Sequence, residues 1–241
     1  MCIRDRGVVI GGGHSKIGQG ASGNMAADVE GQASIQMTGG TVHGVIGGGL
    51  SYSYDKTGDF VSTSSVGSSV VSISGNSTVE AIKYLAAGDE VKISAAVVGA
   101  GVSWNKQSSD KTTLKSTSDT SSVVIDGATI NADVVGGGYA YGSGSETAVK
   151  SAALTISNAE LGSSGKEVNV YAGGIASANA KSSSVESAQL QITATTVSGS
   201  VYTGGSGANS TVGTSSASLT DVTISKALDL SCLLYTSPSP R

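Results

Sequence analysis

The chain holds 241 residues, of which 35 are glycine, 4% aromatic and 13% charged, with a formal net charge of −4. So few large side chains cannot fill a wide globular core, and a weak acidic balance without a basic cluster gives nucleic acid no footing. No apolar run approaches the roughly 18 residues of a membrane-spanning helix. Glycine and serine richness is also typical of flexible linkers. Against that reading, valine and isoleucine recur at regular places and proline is missing from the body of the chain.

The two ends read as foreign. Met1 to Arg6 back-translates as the end of a transposon-type sequencing adapter, and Cys232 to Arg241 as its reverse complement running on into a primer site. Residues 1–6 and 232–241 are therefore expected to be adapter-derived artefacts, with the fold confined to 7–231 as a piece of a longer protein. Both cysteines and both prolines fall in the excluded ends, which leaves 11 basic and 17 acidic residues, a net charge of −6. A disulfide framework or a cysteine-ligated metal is not expected.

Within 7–231 one motif recurs in chain order, Val-x-Gly-Gly-Gly or a close variant. It starts at Val9, Val45, Val97, Val134, Val170 and Val201, at intervals of 36, 52, 37, 36 and 31 residues. A near-constant period in this range marks units that cannot bury their own apolar faces and must stack on neighbours. Between the motifs lies a short alternating stretch, such as Leu154-x-Ile156 or Leu190-x-Ile192, with the period of two of a half-buried strand. A third apolar contact follows five residues on: Met37 to Val42, Ile125 to Ile130, Ile156 to Leu161, Ile192 to Val197 and Leu219 to Ile224. Ile73 to Val79 takes six.

Each unit thus predicts three short strands: Val-x-Gly, then a variable Ser/Gly/Asp/Lys loop and Leu-x-Ile, then a tight turn and a Thr-Val strand. Stacked in parallel, equivalent positions would stand about 4.8 Å apart. The expectation is an all-β parallel β-helix of about six coils, with the six valines in one row and Ile125, Ile156 and Ile192 in another. The longest interval contains residues 80–96, which read equally as an insertion or as an imperfect extra coil.

Chemical motifs are sparse. Gly18 to Gly23 fits G-x-G-x-x-G, but no convincing helix follows it, so a dinucleotide site is not expected. Calcium-binding nonapeptides would need a recurring aspartate after the glycines and a much shorter period. The acids are scattered, and His14 and His43 fall in adjacent repeats on opposite sides of their motifs, so no metal, cofactor or catalytic residue is expected. The aromatics are more suggestive: Tyr52, Tyr54, Trp104, Tyr139 and Tyr141 all follow a glycine motif within six residues. Placed on exposed loops, they would form a ligand-binding side, since such rings bind sugars or protein partners well. Packing of those loops over the strands is the alternative.

The repeated Val-Tyr-x-Gly-Gly and Val-x-Gly-Gly-Gly blocks, with segments such as Ala152 to Ala159, resemble the β-helical passenger regions of bacterial autotransporters and related surface adhesins. That resemblance implies a right-handed helix displayed outside the cell or at the bacterial surface, without a cofactor. It implies a structural stalk or an adhesin for host or cell-surface glycans or proteins. A β-helical polysaccharide lyase or glycoside hydrolase is the alternative, and would need one irregular coil with clustered Asp, Lys or Arg.

Overall fold

The computed structural model describes residues 7–17, 24–53, 59–86, 89–106, 112–177 and 179–230. The two adapter-like ends and the Gly18 to Gly23 motif lie outside them. About two thirds of the described residues are strand, and the helical content among them is a single 3-10 turn at Ser163–Gly165. They build three parallel sheets and one short antiparallel hairpin.

The first sheet collects the valine motifs. Val9 pairs with Val45, Val45 with Val97, Val97 with Val134, Val134 with Val170 and Val170 with Val201, all in parallel register. A seventh strand, Leu228–Asp229, extends the row beyond the six motifs, because Val201 pairs with Leu228. It carries no Gly-Gly signature, which is why the repeat pattern passes over it. The second sheet, the aromatic sheet, holds His14–Ile17, Leu50–Ser53, Val102–Asn105, Tyr139–Tyr141 and Ile175–Ser177.

The third sheet differs most from expectation. Six of its strands are long, Met25–Val42, Val61–Val79, Thr113–Asp126, Ser145–Ser157, Ser182–Thr193 and Ser210–Thr220, and four are the expected short ones, Thr129–Ile130, Glu160–Leu161, Thr196–Val197 and Thr223–Ile224. Much of what reads as a variable Ser-rich loop is strand, because the inward positions of its first half are hydroxyls rather than aliphatics. In Val61–Val79 the buried side chains are Ser62, Ser64, Val66 and Ser69 before Val71 and Ile73. The alternation holds there apart from one three-residue step between Val66 and Ser69, but a hydropathy pattern does not register serine as a core residue.

The second half of the long strands carries the expected aliphatics. Met37, Ile73, Ile125, Ile156, Ile192 and Leu219 stand in one register row and face the valine row in the main apolar core. The five-residue step that follows is set by a tight turn. Two residues past the isoleucine or leucine the chain is left-handed, at Gly127 (φ 68), Asn158 (φ 50), Ala194 (φ 47) and Asp221 (φ 54). Short polar residues and glycine tolerate that conformation best.

Lys83–Ala86 and Asp89–Lys92 pair antiparallel as a hairpin, while Val45 still pairs directly with Val97. No extra strand enters the valine sheet. The additional residues leave the stack as a side element.

The glycine triplet has a specific steric role. Ser64, Ser116, Thr147, Ser183 and Ser210 form a row on the long sheet opposite the third glycine of each motif. A Cβ on Gly49 would sit 2.6 Å from Ser64 Cβ, and one on Gly138 2.6 Å from Thr147 Cβ. At Gly101, Gly174 and Gly205 the facing hydroxyl oxygen would be closer still. The same hydroxyls donate to the third glycine of the preceding repeat: Ser116 to the Gly49 carbonyl at 3.1 Å, Ser183 to Gly138 at 3.1 Å and Ser210 to Gly174 at 2.8 Å.

Gly101→Ala should therefore lower stability by about 1–3 kcal/mol, the usual cost of overpacking a filled interior. Gly31→Ala, where a Cβ would meet nothing within 4 Å, should be neutral or stabilising by up to about 1 kcal/mol. Urea midpoints of the two variants against the parent check this, and equal midpoints would contradict it.

Candidate functional site

Residues that directly follow the core valines point the other way, since successive strand side chains alternate. These are Ile46, Val98, Val135 and Tyr171. They join Leu50, Tyr52, Val102, Trp104, Tyr139 and Ile175 of the aromatic sheet in a second apolar cluster. The valine and aromatic sheets therefore fold toward each other across the glycine corner, on the side away from the long sheet. Ile82, Ile93 and Ala95, which flank the hairpin, complete this groove.

Along it runs a ladder of rings. Lys16, Tyr52, Trp104 and Tyr141 occupy one register row. Tyr52 and Trp104 have ring centroids 5.8 Å apart, as do Trp104 and Tyr141, the latter pair stacked at 15°. At one end Lys16 Nζ lies 5.7 Å from the Tyr52 ring centroid, a cation–π contact. His14 stacks on the same ring at 6.2 Å, and burial, then the Lys16 charge, holds its imidazole below the usual range. At the other end Tyr171 and Tyr202 stack at 4.8 Å and 6°.

The placement corrects the loop expectation. Tyr52, Trp104 and Tyr139 lie in strands, at 0%, 5% and 4% exposure, and Tyr141 is half-buried. Tyr54 lies outside the described residues. The cause is local: the glycine corner is tight enough that the strand restarts immediately after it, so a ring one or three residues later is already inside a sheet. Trp104 Nε1 finds no acceptor among the described residues, so packing of its ring holds it in the ladder.

The Tyr171–Tyr202 stack precedes its glycines, so it escapes a pattern of rings that follow a glycine motif, although both residues stand at the second position of Val-Tyr-x-Gly-Gly. Their surroundings are polar. Asp133 accepts hydrogen bonds from the Asn169 amide N–H at 2.8 Å and side-chain Nδ2 at 3.2 Å, yet burial raises its carboxyl above the usual range. Burial, followed by the Asp133 charge, pushes the Tyr171 phenol up to about 12. Tyr202 itself is half-buried and stands beside Asp229 in register. Stacked phenols, a carboxylate and amide groups thus stand together at this end of the valine sheet.

Among the described residues no group of three or more His, Cys, Asp and Glu is placed to hold a metal ion. No helix among them is long and apolar enough to cross a membrane. In comparisons with known proteins, no family model, no curated protein and no solved structure matches the chain.

Trp104→Ala should act on the fold, lowering unfolding free energy by about 3–5 kcal/mol, the range for deleting a buried large aromatic. Thermal and urea unfolding measure it. An unchanged midpoint would restore the exposed-loop reading.

Proposed function

We propose that the chain is a parallel β-helix and serves as a non-catalytic extracellular segment of a bacterial surface protein, a stalk that also adheres. The observation that carries this reading is the continuous parallel pairing: each repeat gives a strand to the valine sheet and another to the long sheet, and each pairs with the next repeat. An architecture of this kind spends its side chains on stacking, and its length grows by adding units. The resemblance of the glycine blocks to autotransporter passenger regions points the same way.

Adhesion would fall to what the stack leaves at its surface. Tyr141 and Tyr202 are half-buried at the margin of the aromatic groove, and ring faces with polar neighbours suit glycans or protein surfaces. The fully buried rings, Tyr52 above all, would support that margin rather than touch a partner.

Beads coated with the purified chain should be retained by cell layers or glycan-bearing surfaces in a saturable way. The same protein should release no reducing ends or unsaturated sugars from polysaccharides. Depolymerisation of any polysaccharide by the pure chain would overturn the non-catalytic reading. Retention no better than that of uncoated beads would remove adhesion and leave only the stalk.

A further inference from the structure

Tyr171 and Tyr202 hold the same place in two neighbouring repeats and are direct partners in the valine sheet. Their backbones are pinned on both sides of the rings. Val170 N–H donates to the Ser200 carbonyl at 2.9 Å, Ala172 N–H to the Tyr202 carbonyl at 3.0 Å and Gly173 N–H to the Gly204 carbonyl at 3.0 Å. From the preceding position, Asn169 Oδ1 accepts from Ser200 N–H at 2.8 Å. Parallel pairing of this kind leaves the two Cα atoms about 4.8 Å apart with both side chains on one face. The rings follow the backbone: their centroids also lie 4.8 Å apart, with planes 6° from parallel.

The row is limited to two phenols. Val135 stands before Tyr171 and Asp229 after Tyr202. In the other ring row Trp104 separates Tyr52 from Tyr141, and Tyr139 pairs with Val102 and Ile175. Among the described residues, Tyr171–Tyr202 is thus the stack in which one phenol lies directly on another. Tyr202 is half-buried, so a small oxidant reaches it from solvent, while Tyr171 is 9% exposed and held by its packing.

We propose that this pair is a site of oxidative cross-linking, at which a one-electron oxidant joins Tyr171 to Tyr202 as a dityrosine between adjacent repeats. Each phenol gives up one electron and its hydroxyl proton and becomes a phenoxyl radical. The radicals combine through one ring carbon next to each oxygen. The hydrogen on each of those carbons then moves to the oxygen as a proton, which restores both aromatic rings. The net loss is two hydrogens, taken up as one hydrogen peroxide is reduced to two waters through a haem peroxidase. A fixed contact replaces the encounter that free phenols must make by diffusion. The bond closes the loop from residue 171 to residue 202 as a disulfide would, in a stretch that holds no cysteine. The proposal goes beyond the adhesive reading and does not depend on it, since it uses only the parallel pairing of two repeats.

The test treats the full chain, dilute and folded, with hydrogen peroxide and a haem peroxidase. A parallel sample receives persulfate and photo-excited ruthenium tris-bipyridyl, a small oxidant that needs no docking. Trypsin cuts after Lys166, Lys181 and Lys226, so the two rings fall in separate peptides, 167–181 and 182–226, each with one tyrosine. Material isolated at the monomer mass should yield these peptides joined, two hydrogens lighter than their sum, with dityrosine fluorescence. In urea the joined product should fall on the order of tenfold, because unfolding removes the contact. Tyr202→Phe, which keeps a stacked ring, should abolish it with circular dichroism unchanged.

The proposal is overturned if neither oxidant joins the two peptides in monomeric material, if urea leaves the yield as it was, or if the Tyr202→Phe chain still forms the joined product.

Discussion

No side chain fits at the third glycine of each motif, and most of the molecule follows from that steric fact. The glycine corner lies against a row of hydroxyls on the long sheet, with Ser64 Cβ and Thr147 Cβ where a Cβ of the corner would have to be. Because the corner is bare, its carbonyls are reachable, and Ser116, Ser183 and Ser210 each donate to the glycine of the repeat before them. One contact therefore turns the chain, fastens two sheets together and links successive repeats. A methyl group at that point would disturb all three.

The corner also divides the interior into two compartments of different chemistry. Behind the valine sheet the long strands present Val71, Ile73, Ile125, Ile156 and Ile192, and burial of aliphatic surface holds the layers together. Behind the aromatic sheet they present serine and threonine, whose hydroxyls bond within a repeat, Ser51 to Ser64 at 3.1 Å, and across repeats, Ser64 to Ser116 at 3.0 Å and Thr147 to Ser183 at 2.8 Å. Each such bond contributes only about 1 kcal/mol net, but leaving one partner unpaired in the interior would cost more. Small hydroxyl residues are also what the close approach at the glycine corner permits. The aromatic groove on the far side follows, because the two sheets that meet at the corner turn their other apolar faces toward each other.

Much of this was legible in the sequence, and the gaps have physical causes. Val-x-Gly-Gly-Gly gave the repeat and the valine row, since valine and glycine there are each demanded by one contact, core packing and steric absence. The five-residue step from Ile156 to Leu161 gave the tight turn, whose left-handed residue is Asn158. The length of the long strands was hidden because Ser62, Ser64 and Ser69 are interior residues with the composition of a loop. The aromatic ladder was misplaced onto loops because nothing in the sequence says how tightly a glycine corner turns. The seventh strand at Leu228 lacks the motif altogether, and the hairpin could be told from an extra strand only once Val45 was seen to pair with Val97.

The central claim, that every repeat stacks in parallel and in register, can be measured directly on the outer face of the long sheet. Gln36, Ser72, Val124, Thr155, Gln191 and Ser218 form one row there. With Cys2 and Cys232 replaced by serine, spin labels placed at Gln36 and in turn at Thr155, Gln191 and Ser218 report distances by dipolar spectroscopy. The separations should rise in equal steps of about 4.8 Å, to about 14, 19 and 24 Å between backbone sites, with narrow distributions. Distances that fail to increase from one repeat to the next, or that spread broadly, would contradict the stacked arrangement.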